Sequence, residues 1–221
     1  MKDNWDEYFR NEVKPLGKNW GRADLMQYRK WYFMWLEFIN TKVPIFRHVH
    51  ALEIGSGIGS VVSLLNQRGV LITGSDVSNK MLNIARRLIP KSDFVYCNIE
   101  KNIPKKDFYH LIFAFEVLEH LKNYKQGIQN IYKGLKKDGV FIGTSPYPYK
   151  KNLLDPTHYS VRLPHEWKNE FMRQGFKDVS VSPMSFLPYI WRISKYLNIP
   201  IPFYISNSKC ISTTLIIAKK S

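Results

Sequence analysis

Two groups of residues have types and spacings that could do chemistry. The first is the stretch ALEIGSGIGS, residues 51–60, with glycine at Gly55, Gly57 and Gly59 between an apolar run and a helix-like segment. Glycine lets the backbone take positive φ and lets a ligand approach the main chain closely. A helix N-terminus behind such a turn offers free N–H groups and a positive dipole end. Glu53, at the end of the apolar run, could receive a cationic group. Asp76 lies 21 residues after Gly55, where an acid accepts hydrogen bonds from a ribose. This pattern predicts a nucleoside-containing cofactor. The second group is EVLEH, residues 116–120. Its spacing of three and four places Glu116, Glu119 and His120 near one another at a strand-to-helix junction. With His158 they could form an oxygen and nitrogen site for a divalent ion, which would acidify a hydroxyl acceptor.

The elements that must position these residues alternate. Residues 1–49 are read as helical and aromatic-rich, with Trp31, Tyr32, Phe33, Trp35, Leu36 and Phe38 on a wide apolar face. Arg22, Tyr28 and Arg29 are its polar members within reach of a cofactor. Strands are expected at 48–54, 70–75, 93–97, 110–115 and 140–144. Helices are expected at 61–68, 79–88 and 124–135, with Ser78 capping the second and Asp138-Gly139 turning into the fifth strand. Such alternation predicts an α/β doubly wound, Rossmann-like, mostly parallel sheet. Ligands bind such sheets at the carboxyl ends of the strands, where Glu53, Asp76, Asn98 and Phe115 fall. Beyond Ser145 come a loop rich in Pro, Tyr and Lys, a helix at 164–174 and a strand at 176–182. A last strand, 211–218, is expected to pair antiparallel with its predecessor and complete seven strands, with 183–209 inserted between them.

Composition narrows the partners. The chain has 221 residues, a formal net charge of +15 and 33 Lys and Arg against 18 Asp and Glu. That favours anionic partners such as nucleic acid, acidic lipid or phosphorylated substrates. Two cysteines, Cys97 and Cys210, make no disulfide framework and no metal spacing. With no visible signal peptide and no apolar run of about 18 residues, the expected location is cytoplasmic, with peripheral membrane contact through 183–209. That segment mixes apolar, aromatic and basic residues, as interfacial segments do. The chain is divided as one domain, 1–221: a helical segment 1–47, a cofactor-binding core 48–182 and 210–221, and a cap or membrane-contacting insertion 183–209.

Six motifs in order, LEIGSGIGS, SDVSNKML, FEVLEHL, LKKDGVFIGTSP, DPTHYS and MRQGF, resemble the class I S-adenosylmethionine-dependent methyltransferases. Ser60 replaces the third glycine of a dinucleotide turn, which separates the pattern from NAD-binding proteins. The resemblance is greatest to the small-molecule branch that includes the O-methyltransferases of ubiquinone biosynthesis. It implies that Glu53, Gly55, Ser56 and Gly57 hold the methionine part of the cofactor. It further implies that Asp76 binds the ribose hydroxyls, Val77 packs on the adenine, and Asn98 and Ile99 meet the ring's edges. Phe115 is implied to line the pocket floor near the sulfonium.

Methyl transfer from a sulfonium rests on proximity and alignment, and a hydroxyl acceptor also needs a base. His158 in the DPTHYS loop is the leading candidate, with His120 and Glu119 as alternatives. The function expected is methyl transfer to oxygen of a small-molecule, lipid-linked or glycan-type acceptor. RNA methylation and a non-catalytic cofactor-binding scaffold are the alternatives.

Overall fold

The computed structural model describes residue 5 and residues 20–184 and 213–221. The start of the expected helical segment 1–47, apart from residue 5, and nearly all of the expected insertion 183–209 therefore lie outside the described residues.

Helix α1, Arg22–Asn40, buries Leu25, Trp35, Leu36 and Ile39, and the backbone N–H of Gly21 donates to Asp24 Oδ2 at its start. Strand β1, His50–Ile54, leads into α2, Ser60–Gln67. Strand β2, Leu71–Asp76, leads into α3, Asn79–Leu88, where Ser78 Oγ accepts from the Met81 N–H as the cap. Met81, Leu82 and Ala85 form the buried stripe of α3, and Arg86 and Arg87 sit in its last turn, where cations suit the helix dipole. Next come β3, Asp93–Tyr96, and β4, Tyr109–Phe115. Then follow α4, Tyr124–Gly134, and β5, Leu135–Pro146. A short helix α5, Lys150–Leu153, precedes α6, Pro164–Arg173, and the hairpin β6, Lys177–Met184, with β7, Thr213–Lys219.

The strand order is β3-β2-β1-β4-β5-β7-β6. The first five strands are parallel and β7 is antiparallel to both neighbours. This is the doubly wound, seven-stranded architecture expected. Period-two alternation divides β4 between two cores. Leu111, Phe113 and Phe115 face α1, α2 and α3, while Ile112 and Ala114 pack in the cluster that holds Ile128, Ile131, Trp167 and Phe171 of α4 and α6.

Most element boundaries differ from expectation by one or two residues. The fifth strand differs more. It begins at Leu135, which pairs with Tyr109, and resumes pairing at Val140 opposite Leu111. The Asp138-Gly139 turn is thus a bulge inside a longer strand, with Asp138 at φ 62°. Its carboxylate pairs with Lys219 at 2.9 Å, which ties the bulge to the last strand.

The carboxyl ends of β1, β2, β4 and β5 lie along one edge of the sheet. Met184 pairs with Thr213 and Thr213 with Pro146, so the chain between β6 and β7 leaves and returns at that same edge.

Candidate active site

The glycine turn joins β1 to α2 at this edge. The Ser56 N–H donates to the Ser75 carbonyl at 2.8 Å and the Gly59 N–H to the Ser56 carbonyl at 2.8 Å, closing the turn on β2. Gly57 has φ 51°, and a Cβ built on it would meet nothing within 4 Å. The space it leaves open belongs to a cavity of about 660 Å³, within the range of small-molecule sites. Gly59, the extra glycine of the motif, has a different reason. A Cβ there would lie 2.7 Å from the Phe94 ring, so close packing excludes it.

Asp76 ends β2 facing this turn and is 7% exposed. Its Oδ2 accepts from the Gly57 N–H at 2.9 Å and its Oδ1 from the Ser78 N–H at 2.8 Å. One carboxylate therefore fixes both the glycine turn and the start of α3. Glu53 is buried, and its Oε2 has no hydrogen-bond partner among the described residues. Burial pushes its carboxyl well above the usual range, the Val62 N–H opposes that shift, and nearby Asp76 adds to it.

Six of the nine residues expected to meet the cofactor line the cavity: Gly55, Gly57, Asp76, Val77, Asn98 and Ile99. Asn98 also has a local bond, its Oδ1 accepting from the Glu100 N–H at 3.0 Å. Glu53 and Ser56 stand behind the wall as buried groups. Phe115 is placed elsewhere. Its ring packs 5.8 Å from Tyr32 and 5.7 Å from Trp35, in the core beneath α1. The strand's alternation aims it at that layer and not at the pocket floor. Arg29 donates to Gln67 and Tyr28 stacks on Trp20, so these two polar members of α1 are engaged within the helical layer.

The EVLEH stretch forms the opposite wall. Glu116 follows β4 at φ 53°, an uncommon conformation for a residue with a side chain. It is held there because its N–H meets both the Thr144 carbonyl at 3.2 Å and Thr144 Oγ1 at 3.0 Å. Leu118–His120 is one turn of 3-10 helix, so His120 lies inside a tight turn and not at a helix cap. The DPTHYS loop is tied to this turn. The Tyr159 and Ser160 N–H groups donate to the Glu119 carbonyl at 2.7 and 2.9 Å, and Ser160 Oγ donates to the Leu121 carbonyl at 2.8 Å.

These ties bring Glu119, His120 and His158 together, with one potential ligand atom from each within 4.8 Å of the others. His120 Nδ1 lies 3.0 Å from the Thr157 carbonyl and His158 Nδ1 lies 2.9 Å from the Asn152 carbonyl. A carbonyl only accepts, so each Nδ1 is the donor, and Nε2 is the ring atom left to face the cluster. Burial pulls His120 down to about 4, which keeps it neutral at physiological pH. Its Nε2 faces Glu119 Oε1 at 3.8 Å. Burial, then the neighbouring Glu116, pushes the Glu119 carboxyl well up. Glu119 Oε2 and Glu116 Oε1 are buried without hydrogen-bond partners among the described residues. Several polar atoms thus converge on this wall of the cavity.

Sequence reasoning missed several wall residues, including Trp5, Tyr96, Val117, Leu121, Lys122 and Tyr159. For all but Trp5, position at or after a strand end or in the DPTHYS loop is the signal that could have marked them. Trp5 sits edge-on to His120 with ring centres 5.0 Å apart.

Residues 52–143 match the family described as a methyltransferase domain. The chain is 32% identical over 141 residues to the trans-aconitate 2-methyltransferase of Rhizobium rhizogenes, covering 62% of this chain and 53% of that protein. It is 28% identical over 169 residues to the protein of that name from Escherichia coli, covering 72% and 65%. The chain thus spans between about half and two thirds of these curated relatives. Among solved structures it resembles a Haemonchus contortus phosphoethanolamine N-methyltransferase bound to phosphomonomethylethanolamine and S-adenosylhomocysteine. That match has a TM-score of 0.72 at 16% identity and covers 97% of this chain and 59% of that one. An S-adenosylmethionine-dependent methyltransferase from Mesorhizobium loti matches with a TM-score of 0.64 at 16% identity, covering 89% and 100%. The glycine turn, the β2 acid and the strand order thus accompany a methyltransferase-domain match over residues 52–143, and the chain is similar to the class I S-adenosylmethionine-dependent methyltransferases.

Proposed function

We propose that the chain catalyses transfer of a methyl group from S-adenosylmethionine to an oxygen atom of a small anionic acceptor. The observation that carries this reading is the open space at Gly57 beside the Asp76 carboxylate, on a cavity of about 660 Å³. A nucleoside cofactor needs such a cradle, and the room fits one.

The cofactor brings an already activated methyl group on a sulfonium, which transfers by in-line displacement. The protein's tasks are binding, orientation and proton removal. Gly55, Ser56 and Gly57 present main chain to the methionine part, and Glu53 offers it a buried unpartnered oxygen. Asp76 accepts the ribose hydroxyls, with Val77, Asn98 and Ile99 around the adenine. His158 serves as base. Its Nδ1–H bond to the Asn152 carbonyl directs the Nε2 lone pair toward the cluster, where it takes the acceptor's proton. His120 and Glu119 complete this wall. In this reading residues 1–221 act as one domain.

The acceptor class rests on two supports. The relatives named trans-aconitate 2-methyltransferases act by that name on a small anion. A net charge of +15 favours an anion here as well.

The donor set supports a second reading of the same wall. Glu119, His120 and His158 would hold a divalent ion, with Glu116, which lies outside that cluster, near Glu119. Backbone carbonyls at the far nitrogens of the two imidazoles fix ring orientation as in metal sites, and the unpartnered carboxylate oxygens supply charge. Mixed imidazole and carboxylate donors suit a first-row transition ion better than Mg²⁺. Such an ion would lower the acceptor's pKa in place of the His158 base.

Turnover of radiolabelled S-adenosylmethionine across hydroxy acids, polycarboxylates, phenols and a structured RNA tests the proposal. Product on a small acceptor supports it, and full activity after EDTA assigns the proton to His158 and removes the ion. Turnover only on RNA would replace the acceptor, and cofactor binding without any turnover would leave a scaffold.

A further inference from the structure

The rim beside the candidate site exposes large apolar side chains next to cations. Leu153 at the end of α5 is 57% exposed and Leu154 is 70% exposed. They directly follow Asn152, whose carbonyl orients His158. Tyr159, 38% exposed, belongs to the same loop and lines the cavity. Lys150 is exposed on α5, and Lys122 places its ammonium 5.3 Å from the Tyr159 ring centre. Asp155, the acid of this loop, is engaged within it, its Oδ1 accepting from the Thr157 N–H at 2.8 Å and the Thr157 hydroxyl at 2.7 Å. The rim therefore shows solvent adjacent leucines, a tyrosine and lysines, with its own acid occupied locally.

The same edge is where 185–212 departs and returns, because Met184, Thr213 and Pro146 are neighbours across β6, β7 and β5. Loop 147–163 starts at the next residue after Pro146. Residues 185–212 contain no Asp or Glu, and their charges are Arg192, Lys195 and Lys209. Two stretches that spring from one corner of the sheet are thus apolar and basic together. Exposed leucines alone would be unremarkable surface. Leucines and tyrosine grouped with cations beside a cavity mouth match the composition of surfaces that sit in a bilayer interface. Among the described residues no helix is long and apolar enough to cross a membrane, so the contact is peripheral.

We propose that the rim carrying Lys122, Lys150, Leu153, Leu154 and Tyr159 docks on an anionic lipid bilayer and turns the cavity mouth toward it. The acceptor is then an amphiphile held at that surface with its anionic or hydroxylated head in reach of His158. This identification of the acceptor rests on the methyl-transfer reading; the docking surface itself does not. Anionic lipid is the occupant favoured because the rim's cations lie beside its apolar groups. Lysines draw the rim to the headgroups, and the leucines bury apolar area among them.

Co-sedimentation of the full chain with phosphatidylcholine vesicles, with and without phosphatidylglycerol, tests this. The expected result is binding to the anionic vesicles, reduced but not abolished by high salt. A Leu153→Glu/Leu154→Glu double variant should bind about tenfold more weakly, since apolar insertion is removed. Both positions are exposed, so its affinity for S-adenosylhomocysteine by calorimetry should match wild type. Equal vesicle binding by the double variant, or binding wholly abolished by salt, would overturn the proposal. So would absence of vesicle binding together with a dimer that the double variant breaks, or together with salt-sensitive RNA binding. Wild-type protein that binds vesicles but no S-adenosylhomocysteine would sink the methyl-transfer reading and leave the docking surface standing.

Discussion

Replacing Asp76 by asparagine should damage folding and cofactor binding together. The native carboxylate gives one oxygen to the Gly57 N–H at 2.9 Å and the other to the Ser78 N–H at 2.8 Å. Asparagine keeps one acceptor oxygen and turns an NH₂ group toward the other N–H, donor against donor. Hydrogen bonds to a charged group contribute roughly 1.5–3 kcal/mol each, and a buried donor left unpaired costs about as much. A loss of about 2 kcal/mol is therefore expected. With a urea slope of roughly 2–3 kcal/mol per M, the unfolding midpoint should fall by about 1 M. The looser turn and the missing charge should together weaken S-adenosylhomocysteine binding by about 10- to 100-fold. Urea unfolding followed by tryptophan fluorescence gives the first quantity and calorimetry the second. Affinity lost at an unchanged midpoint would refute the claim that this carboxylate ties the turn to α3. Unchanged affinity would refute its place at the ribose.

Three further perturbations separate the parts of the account. Gly57→Asn tolerates the left-handed backbone at φ 51° and meets no neighbour, so its unfolding free energy should stay within about 1 kcal/mol of wild type. Its side chain should nonetheless fill the cradle and lower S-adenosylhomocysteine affinity by at least about 100-fold; a variant that binds normally would place the cofactor elsewhere. Trp167 of α6 is fully buried in the α4 and α6 layer. Trp167→Ala should cost about 3–5 kcal/mol in urea unfolding, and a cost under about 1 kcal/mol would contradict that packing. The Cys97 thiol is pushed up to about 11 by burial. At pH 8 its thiolate fraction is then about 10⁻³, so in a Cys210→Ser background iodoacetamide should react only after denaturant is added; alkylation of the native protein at the rate of a free thiol would refute this.

The fold was legible because local signals agreed with each other. Mostly apolar runs at 51–54, interrupted by Glu53, and at 111–115, separated by amphipathic segments with their own caps and stops, could be satisfied by a parallel sheet covered on both faces. Ser78 is a case in which residue type alone located a helix start, and its hydroxyl accepts from Met81 as expected. The Asp138-Gly139 bulge was misplaced because an Asp-Gly pair reads as a turn whether or not the strand continues past it.

The site divided in the same way. The cofactor wall follows from motifs contiguous in sequence, and most of its expected residues line the cavity. Phe115 was misjudged because nearness to a strand end does not say to which face an alternating side chain points. The second job of Asp76, holding two backbone N–H groups, left no trace in the spacing. The pairing of His158 with His120 depends on a loop that folds back 38 residues later onto the Glu119 carbonyl. No periodicity reports such a contact. The basic surplus pointed to anions from composition alone, but its grouping with Leu153 and Leu154 required the folded loop.

The central claim is that the glycine turn and Asp76 hold S-adenosylmethionine and not a dinucleotide. Calorimetric titration of the wild-type chain with S-adenosylhomocysteine and, separately, with NAD⁺ tests it most directly. Saturable binding of one S-adenosylhomocysteine per chain, with no heat from NAD⁺, is the predicted result. Tighter binding of NAD⁺, or no binding of S-adenosylhomocysteine to folded protein, would contradict it.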